Sequence, residues 1–204
     1  MDQNAIQALW PQVQANVGKH TKHQLEALSD LELIANINEG DEAAFEVLYH
    51  RHKDWVVNLA YRWTGSRDLA LDILQEAFFY FSKKFPGFRL TAKLQTFFYP
   101  VVRNLSIASR RKSERYQSNE EEQQSMEQSA IPAHVTDEGE QLQWVLRMLP
   151  EEQREVLLLR FVDELSLAEI SEAMEIPLGT VKSRLHNALE TLRQDVRTKK
   201  MFEE

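Results

Sequence analysis

The stretch from Tyr116 to Thr136, YQSNEEEQQSMEQSAIPAHVT, constrains the fold of this 204-residue chain more than any other feature. It is rich in Ser, Gln and Glu and poor in apolar groups, so burial cannot offset the entropy of ordering it. It reads as a flexible linker over residues 116–136, and the flanks must then fold as two small domains, each with its own core. An apolar fraction of 43% is enough for both. Helical periodicity dominates on either side and no convincing strand pattern occurs. The expectation is an all-α protein with two small helical domains, after an N-terminal extension (residues 1–28) of unreadable role.

Helix signals punctuate both flanks. In SDLELIANI, Ser29 and Glu32 have the spacing of a capping box, and Gly40 ends that helix. Asp41 caps the long helix EAAFEVLYHRHKDWVVNLAYRWT, whose buried stripe should be Phe45, Leu48, Tyr49, Val56, Leu59, Ala60 and Trp63. Gly65-Ser66 makes a turn into RDLALDILQEAFFYF. FPGFR ends that helix, since Pro86 and Gly87 punctuate it, and another runs from roughly Ala92 to Arg111. Beyond the linker, Leu142, Val145, Leu146 and Leu149 share one face. Pro150 opens EEQREVLLLRFV, Ser166 and Glu169 form a second capping box, and LGTVKSRLHNALETLRQDV closes the block.

The net charge of −8 argues at first against a nucleic-acid partner, but it is unevenly spread. Residues 41–116 hold 13 basic and 8 acidic groups, whereas residues 117–150 hold 1 and 7. A basic domain precedes an acidic insert, and the local balance decides whether a surface can meet phosphates. With no cysteine the chain has neither disulfide nor thiolate metal site, which suits a reducing compartment. The N-terminus has no long apolar run, so neither a signal peptide nor a membrane span is expected and the default location is cytoplasmic. HTKH (His20, His23) and HRH (His50, His52) lack a third metal ligand at useful spacing. No glycine-rich phosphate loop or nucleophile–base pair stands out. An enzyme, a cofactor and a metal are therefore not expected.

Two stretches carry function. The last two helices are joined by a short turn, and the second presents Thr180, Lys182, Ser183, Arg184, His186 and Asn187, while Leu178, Val181, Leu185 and Leu189 would hold it to the domain. This is the arrangement of a helix-turn-helix: short polar groups and Asn approach base edges, and Lys and Arg meet phosphate or guanine. On periodicity alone, a plain helical hairpin with a solvated face fits equally well. The second stretch is RWTGSRDLALDILQEAFFYF. Its apolar residues wrap well past one helix face. Either a partner covers the excess or the helix is buried on several sides of its own domain.

The wording of these residues resembles the extracytoplasmic-function sigma factors, a branch of the sigma-70 family. LPEEQREVLLLRFVDELSLAEISEAMEIPLGTVKSRLHNALETLR is similar to their region 4. DEAAFEVLYHRH, DILQEAFFYF, FPGFR and VVRNLSIASRRK are similar, in order, to region 2. The resemblance covers roughly residues 29–114 and 138–195, and implies region 2 over 29–115 and region 4 over 137–204. It implies core RNA polymerase (the largest-subunit clamp and the flap region) and promoter DNA as partners. Upstream-element readers would be Thr180, Lys182, Ser183, His186 and Asn187, with Arg184 on the DNA backbone. Downstream recognition and melting would fall to Arg89, Lys93, Phe97, Phe98, Tyr99, Arg103, Asn104, Arg110, Arg111 and Lys112, although Phe97 and Phe98 also read as core. Polymerase docking would use Leu69, Leu71, Asp72, Leu74, Gln75, Glu76 and Phe79. No residue identifies an anti-sigma factor. The rival reading is a stand-alone helix-turn-helix regulator, which accounts for the C-terminal hairpin but not for the region 2 blocks.

Departures from the family pattern are specific. Leu90 stands for Gly, Phe97 for Trp, Pro100 for Arg, Glu175 for the Gly of the turn, and Asn187 for a frequent Arg. Where the family's docking helix opens Asp-Ala-Glu-Asp, this chain has Leu69-Ala70-Leu71-Asp72. Thr64 and Ser66 lie just upstream, between Arg62 and Arg67. A phosphate there, bringing about −1.5 to −2 charges at a helix start, would restore the missing charge. A Ser/Thr kinase acting on Thr64, or on Ser66, is thus one expectation. The competing reading makes Ser66 an N-cap and Thr64 a turn residue.

Overall fold

A computed structural model describes residues 21–117 and 146–195, and no strand occurs among them. The chain divides into two compact units, Met1–Ala130 and Ile131–Glu204. Residues 118–145, most of the expected linker, lie outside the described residues, as do residues 1–20 and 196–204.

The first unit contains α1 (Lys22–Glu26), α2 (Asp30–Asn38), α3 (Glu42–Thr64), α4 (Arg67–Ser82) and α5 (Leu94–Gln117). The anticipated starts are present. The Glu32 carboxylate accepts from Ser29 N–H at 2.8 Å, and Asp41 Oδ1 accepts from Ala43 N–H at 3.0 Å. Gly65 closes α3 at φ +67°, a left-handed geometry that glycine reaches without penalty. Residues 21–28 join the unit rather than trailing from it. Leu25 of α1 is fully buried, and the Arg51 guanidinium of α3 donates to the carbonyls of Glu26 (3.1 Å) and Leu28 (2.8 Å) and to Asp30 (2.6 Å). Asp30 also bonds the buried His52 at 2.7 Å. Burial raises the Asp30 carboxyl's pKa, but His52 and Arg51 outweigh that and hold it below the ordinary aspartate value.

The long helix α3 runs through the core. Phe45, Leu48, Tyr49, Val56, Leu59 and Ala60 are buried as expected, joined by Val47 and His52. Trp63 is only half-buried, with the Arg103 guanidinium 5.2 Å from its ring centroid. The extra apolar surface of α4 is largely internal. Ala70, Ile73, Leu74, Ala77, Phe78 and Phe81 are buried because α4 packs against both α3 and α5. Phe78 and Phe81 sit in an aromatic cluster with Phe45, Tyr49 and Phe98. α5 passes through Pro100 unbroken and reaches Gln117, two residues into the expected linker. Leu94, Phe98, Tyr99 and Val102, buried on both sides of the proline, hold the helix across the lost N–H.

The second unit contains α6 (Glu151–Phe161), α7 (Leu167–Met174) and α8 (Leu178–Gln194). Pro150 is the N-cap of α6, one residue before the position expected for it. Ser166 and Glu169 form the second capping box, with the Glu169 carboxylate accepting from Ser166 N–H at 2.7 Å. Leu146, Leu149, Leu157 and Ala188 make a core against which Leu158, Leu185, Leu189 and Leu192 pack. Val181 is buried as expected, but Leu178 is 40% exposed because it opens α8 at the rim of the domain.

Candidate polymerase and promoter surfaces

On the first unit, α4 leaves one stripe open to solvent. Asp68, Asp72, Gln75, Glu76 and Phe79 are exposed, at the three- and four-residue steps that share a helix face. Leu69 and Leu71 are half-buried beside the stripe. Leu74, expected at the docking surface, is 2% exposed and belongs to the core, since it faces inward from α4. The turn before α4 is tied locally. Thr64 Oγ1 donates to the Ala60 carbonyl (2.9 Å) and lies 3.1 Å from the Ser66 carbonyl, while Ser66 Oγ caps α4 by accepting from Leu69 N–H at 3.4 Å.

Basic and aromatic groups follow on the connection from α4 to α5 and along α5. Arg89, Lys93, Asn104, Arg110, Arg111 and Lys112 are exposed, and Arg103 and Phe97 are half-buried. Phe97, Asn104 and Arg111 recur at seven-residue steps and so form one stripe. Phe98 and Tyr99, expected to meet opened DNA, are 0% and 1% exposed. Phe98 packs on Phe78 and Phe81 inside the aromatic cluster and Tyr99 is buried beside it in sequence, so stacking either on a base would require the core to open. The structure adds an aromatic group that sequence reasoning missed. Tyr80 is 43% exposed, its ring lies nearly parallel to that of Phe97 at 6.1 Å, and Lys84 Nζ is 4.3 Å from its centroid. Only the packing of α4 on α5 joins the two rings, so no local signal could reveal them.

On the second unit, α7, its turn and α8 form the expected helix-turn-helix. Glu175 occupies the turn at φ +54°, ψ +40°, a left-handed geometry that glycine adopts more readily. Lys182, Ser183, His186 and Asn187 are exposed and Thr180 is half-buried, with Ser183 Oγ donating to the Thr180 carbonyl at 3.0 Å. Arg184 differs from expectation. Its side chain is 21% exposed and ion-paired with Glu152 of α6, so a phosphate must compete with a carboxylate already in place. The upstream and downstream sets lie on separate units.

No group of three or more His, Asp or Glu side chains is placed to hold a metal among the described residues, and no helix among them is long and apolar enough to cross a membrane.

The pattern of sigma-70 region 2 matches residues 48–116, and that of sigma-70 region 4 matches residues 139–192. The chain is 32% identical over 177 residues to the ECF RNA polymerase sigma factor SigW of Bacillus subtilis, covering 80% of this chain and 95% of SigW. The chain belongs to the ECF branch of the sigma-70 family. It is a DNA-binding sigma factor of transcription initiation that works with RNA polymerase. The ECF sigma-E factor of Escherichia coli (strain K12) is 28% identical over 180 residues, covering 82% of this sigma factor and 94% of that one. Two solved structures share the fold. The sigma factor RpoE of Bartonella quintana, in complex with the anti-sigma factor NepR, has a TM-score of 0.58 at 22% identity and covers 74% of this chain and 98% of its own. CnrH, in complex with the cytosolic domain of CnrY, has a TM-score of 0.56 at 17% identity and covers 79% and 93%.

Proposed function

We propose that the first unit docks on the clamp of core RNA polymerase through the exposed stripe of α4 and captures the opened downstream element along α5, while the second unit reads the upstream element with α8. The observation that carries this reading is the stripe itself. Asp72, Gln75, Glu76 and Phe79 face solvent on a helix whose remaining apolar residues are mostly satisfied inside the unit. Exposed Arg89, Lys93 and Arg111 with half-buried Phe97 offer the cations and ring that opened single strand requires. On the second unit, exposed Lys182, Ser183, His186 and Asn187 suit major-groove readout, and exposed Phe161 and Val162 suit an apolar partner such as the polymerase flap. Such a protein acts in the cytoplasm with its polymerase.

The docking helix is short of charge, and phosphorylation of Thr64 by a Ser/Thr kinase supplies it. Thr64 is the last residue of α3, two residues before the α4 cap Ser66, so a phosphate there is favoured by the N-terminus of α4 and opposed by the C-terminus of α3. Both hydroxyls are engaged, Ser66 as the α4 cap and Thr64 with the Ala60 carbonyl. A phosphate at Thr64 must first break its bond to the Ala60 carbonyl, so modification reorganises the turn as well as charging it. The experiment compares wild type, Thr64→Ala and Leu69→Asp/Leu71→Glu for affinity to core polymerase and for transcription in cells. Thr64→Ala should lose activity and the acidic double variant should bind without modification. A fully active Thr64→Ala together with no gain from the double variant disproves the switch. Loss of polymerase binding on Glu76→Lys tests the docking surface separately.

A further inference from the structure

The segment joining α4 to α5 has no regular structure, yet it carries the exposed Arg89. Backbone polar groups in such a segment need partners. Two of them, the Gly87 N–H and the Phe88 carbonyl, are taken by a single side chain from the far end of α2. Asn38 Oδ1 accepts from Gly87 N–H at 2.6 Å, and Asn38 Nδ2 donates to the Phe88 carbonyl at 2.9 Å. The carboxamide fits because it has an acceptor at one end and a donor at the other. An aspartate would keep the first bond but set an anion against a carbonyl. Gly87 sits at φ +107°, a backbone state that side chains rarely adopt, so the clamp holds a conformation most sequences would avoid.

The clamp reaches the strand-facing surface on two routes. Arg89 leaves the chain directly after the clamped Phe88. The Phe88 ring packs edge-on against Phe97 at 5.1 Å and against Phe81 at 5.2 Å. Phe85, on the other side of Pro86-Gly87, contacts Phe81 at 5.0 Å. Two aromatic anchors and one amide thus fix where Arg89 and Phe97 stand.

We propose that Asn38 is a positioning residue for promoter opening: from α2, through Gly87 and Phe88, it sets the geometry in which Arg89 and Phe97 hold the opened strand. The proposal rests on the reading of that surface as the downstream-element site. Asn38 does not touch DNA, and the polymerase-docking stripe of α4 is independent of it.

The test uses the full chain in complex with core polymerase. Variants Asn38→Ala, Asn38→Asp, Arg89→Ala, Phe97→Ala and Asn38→Ala/Arg89→Ala are compared for core affinity, for thermal unfolding and for binding of a fluorescent single-stranded oligonucleotide carrying the non-template downstream element. Loss of the two bonds should weaken oligonucleotide binding by about 5–10-fold, with core affinity within about twofold of wild type. The double variant should lose less than the sum of the two single losses, because Asn38 acts in part through Arg89. Oligonucleotide binding unchanged by Asn38→Ala but weakened by Arg89→Ala overturns the proposal, as does full additivity in the double variant. If Arg89→Ala and Phe97→Ala both leave binding intact, the surface reading fails and the positioning role falls with it. Should Asn38→Ala unfold the unit, Asn38→Asp decides, since it alters no volume and keeps the bond to Gly87.

Discussion

Replacing Glu175 with glycine should stabilise the helix-turn-helix unit even though it deletes a side chain. Glu175 stands at φ +54°, ψ +40° between α7 and α8. For a residue with a Cβ that geometry costs about 1–2 kcal/mol. The turn enforces it: Glu175 N–H bonds the Glu172 carbonyl at 3.2 Å, Ile176 N–H bonds the Ser171 carbonyl at 3.1 Å, and Ser171 Oγ donates to the Ile176 carbonyl at 2.6 Å. Glycine removes the strain but gives the unfolded chain more freedom, which takes back roughly 0.4–1 kcal/mol. A net gain on the order of 0.5–1 kcal/mol remains, which for a domain of this size raises the unfolding midpoint by about 2–8 °C. Thermal unfolding of the full chain followed by circular dichroism measures it, with Glu175→Gln as the control that keeps the strain and removes the charge. A glycine variant melting at or below wild type refutes the strain argument. An equal rise in the glutamine variant assigns the effect to charge relief near Glu172 instead.

Phe98→Ala should cost about 3–5 kcal/mol and unfold the first unit, because the ring is fully buried. Phe97→Ala should leave the unit folded and slow promoter opening, as followed by permanganate footprinting of the melted strand; equal destabilisation by both would place Phe97 in the core. Asp30→Asn should destabilise the first unit at neutral pH. The folded Asp30 pKa lies below its reference value of 3.8, so the wild-type advantage is complete above that value and disappears as pH falls through the lowered one. Denaturant titrations at pH 7 and pH 3 should therefore differ more between wild type and variant at pH 7; a constant gap would remove the ionised carboxylate as the cause. Leu74→Asp should abolish folding, whereas Asp72→Ala should weaken polymerase binding with an unchanged melting curve, separating the inward and outward faces of α4.

Local chemistry carried much of the site's framework. Ser29–Glu32 and Ser166–Glu169 announce helix starts within four residues of sequence, and both are made. The polar face Lys182, Ser183, His186 and Asn187 follows from period alone, because a helix that buries Val181 and Ala188 must turn those residues outward. The departure at Glu175 was also legible, because a left-handed turn is a local demand on one residue.

Contacts across the fold were not legible. The apolar excess of α4 was consistent with either a partner or several neighbours, and the flanking of α4 by α3 and α5 decided for neighbours over most of it. Phe98 and Tyr99 looked like neighbours of Phe97 with the same task, yet adjacent residues on a helix point about 100° apart, and the packing of α5 chose which ring faces out. Asn38 reads in sequence as the end of one helix, and Tyr80 as the tail of another. By itself the sequence determined most of the elements from Asp30 onward, the two Ser–Glu capping boxes and the family to which the chain belongs, since each depends on residues within a turn or two or on their order. Only the tertiary structure decided which of those residues are buried, which are paired, and which side chain holds the loop of Arg89, because those depend on groups brought together from up to 50 residues away.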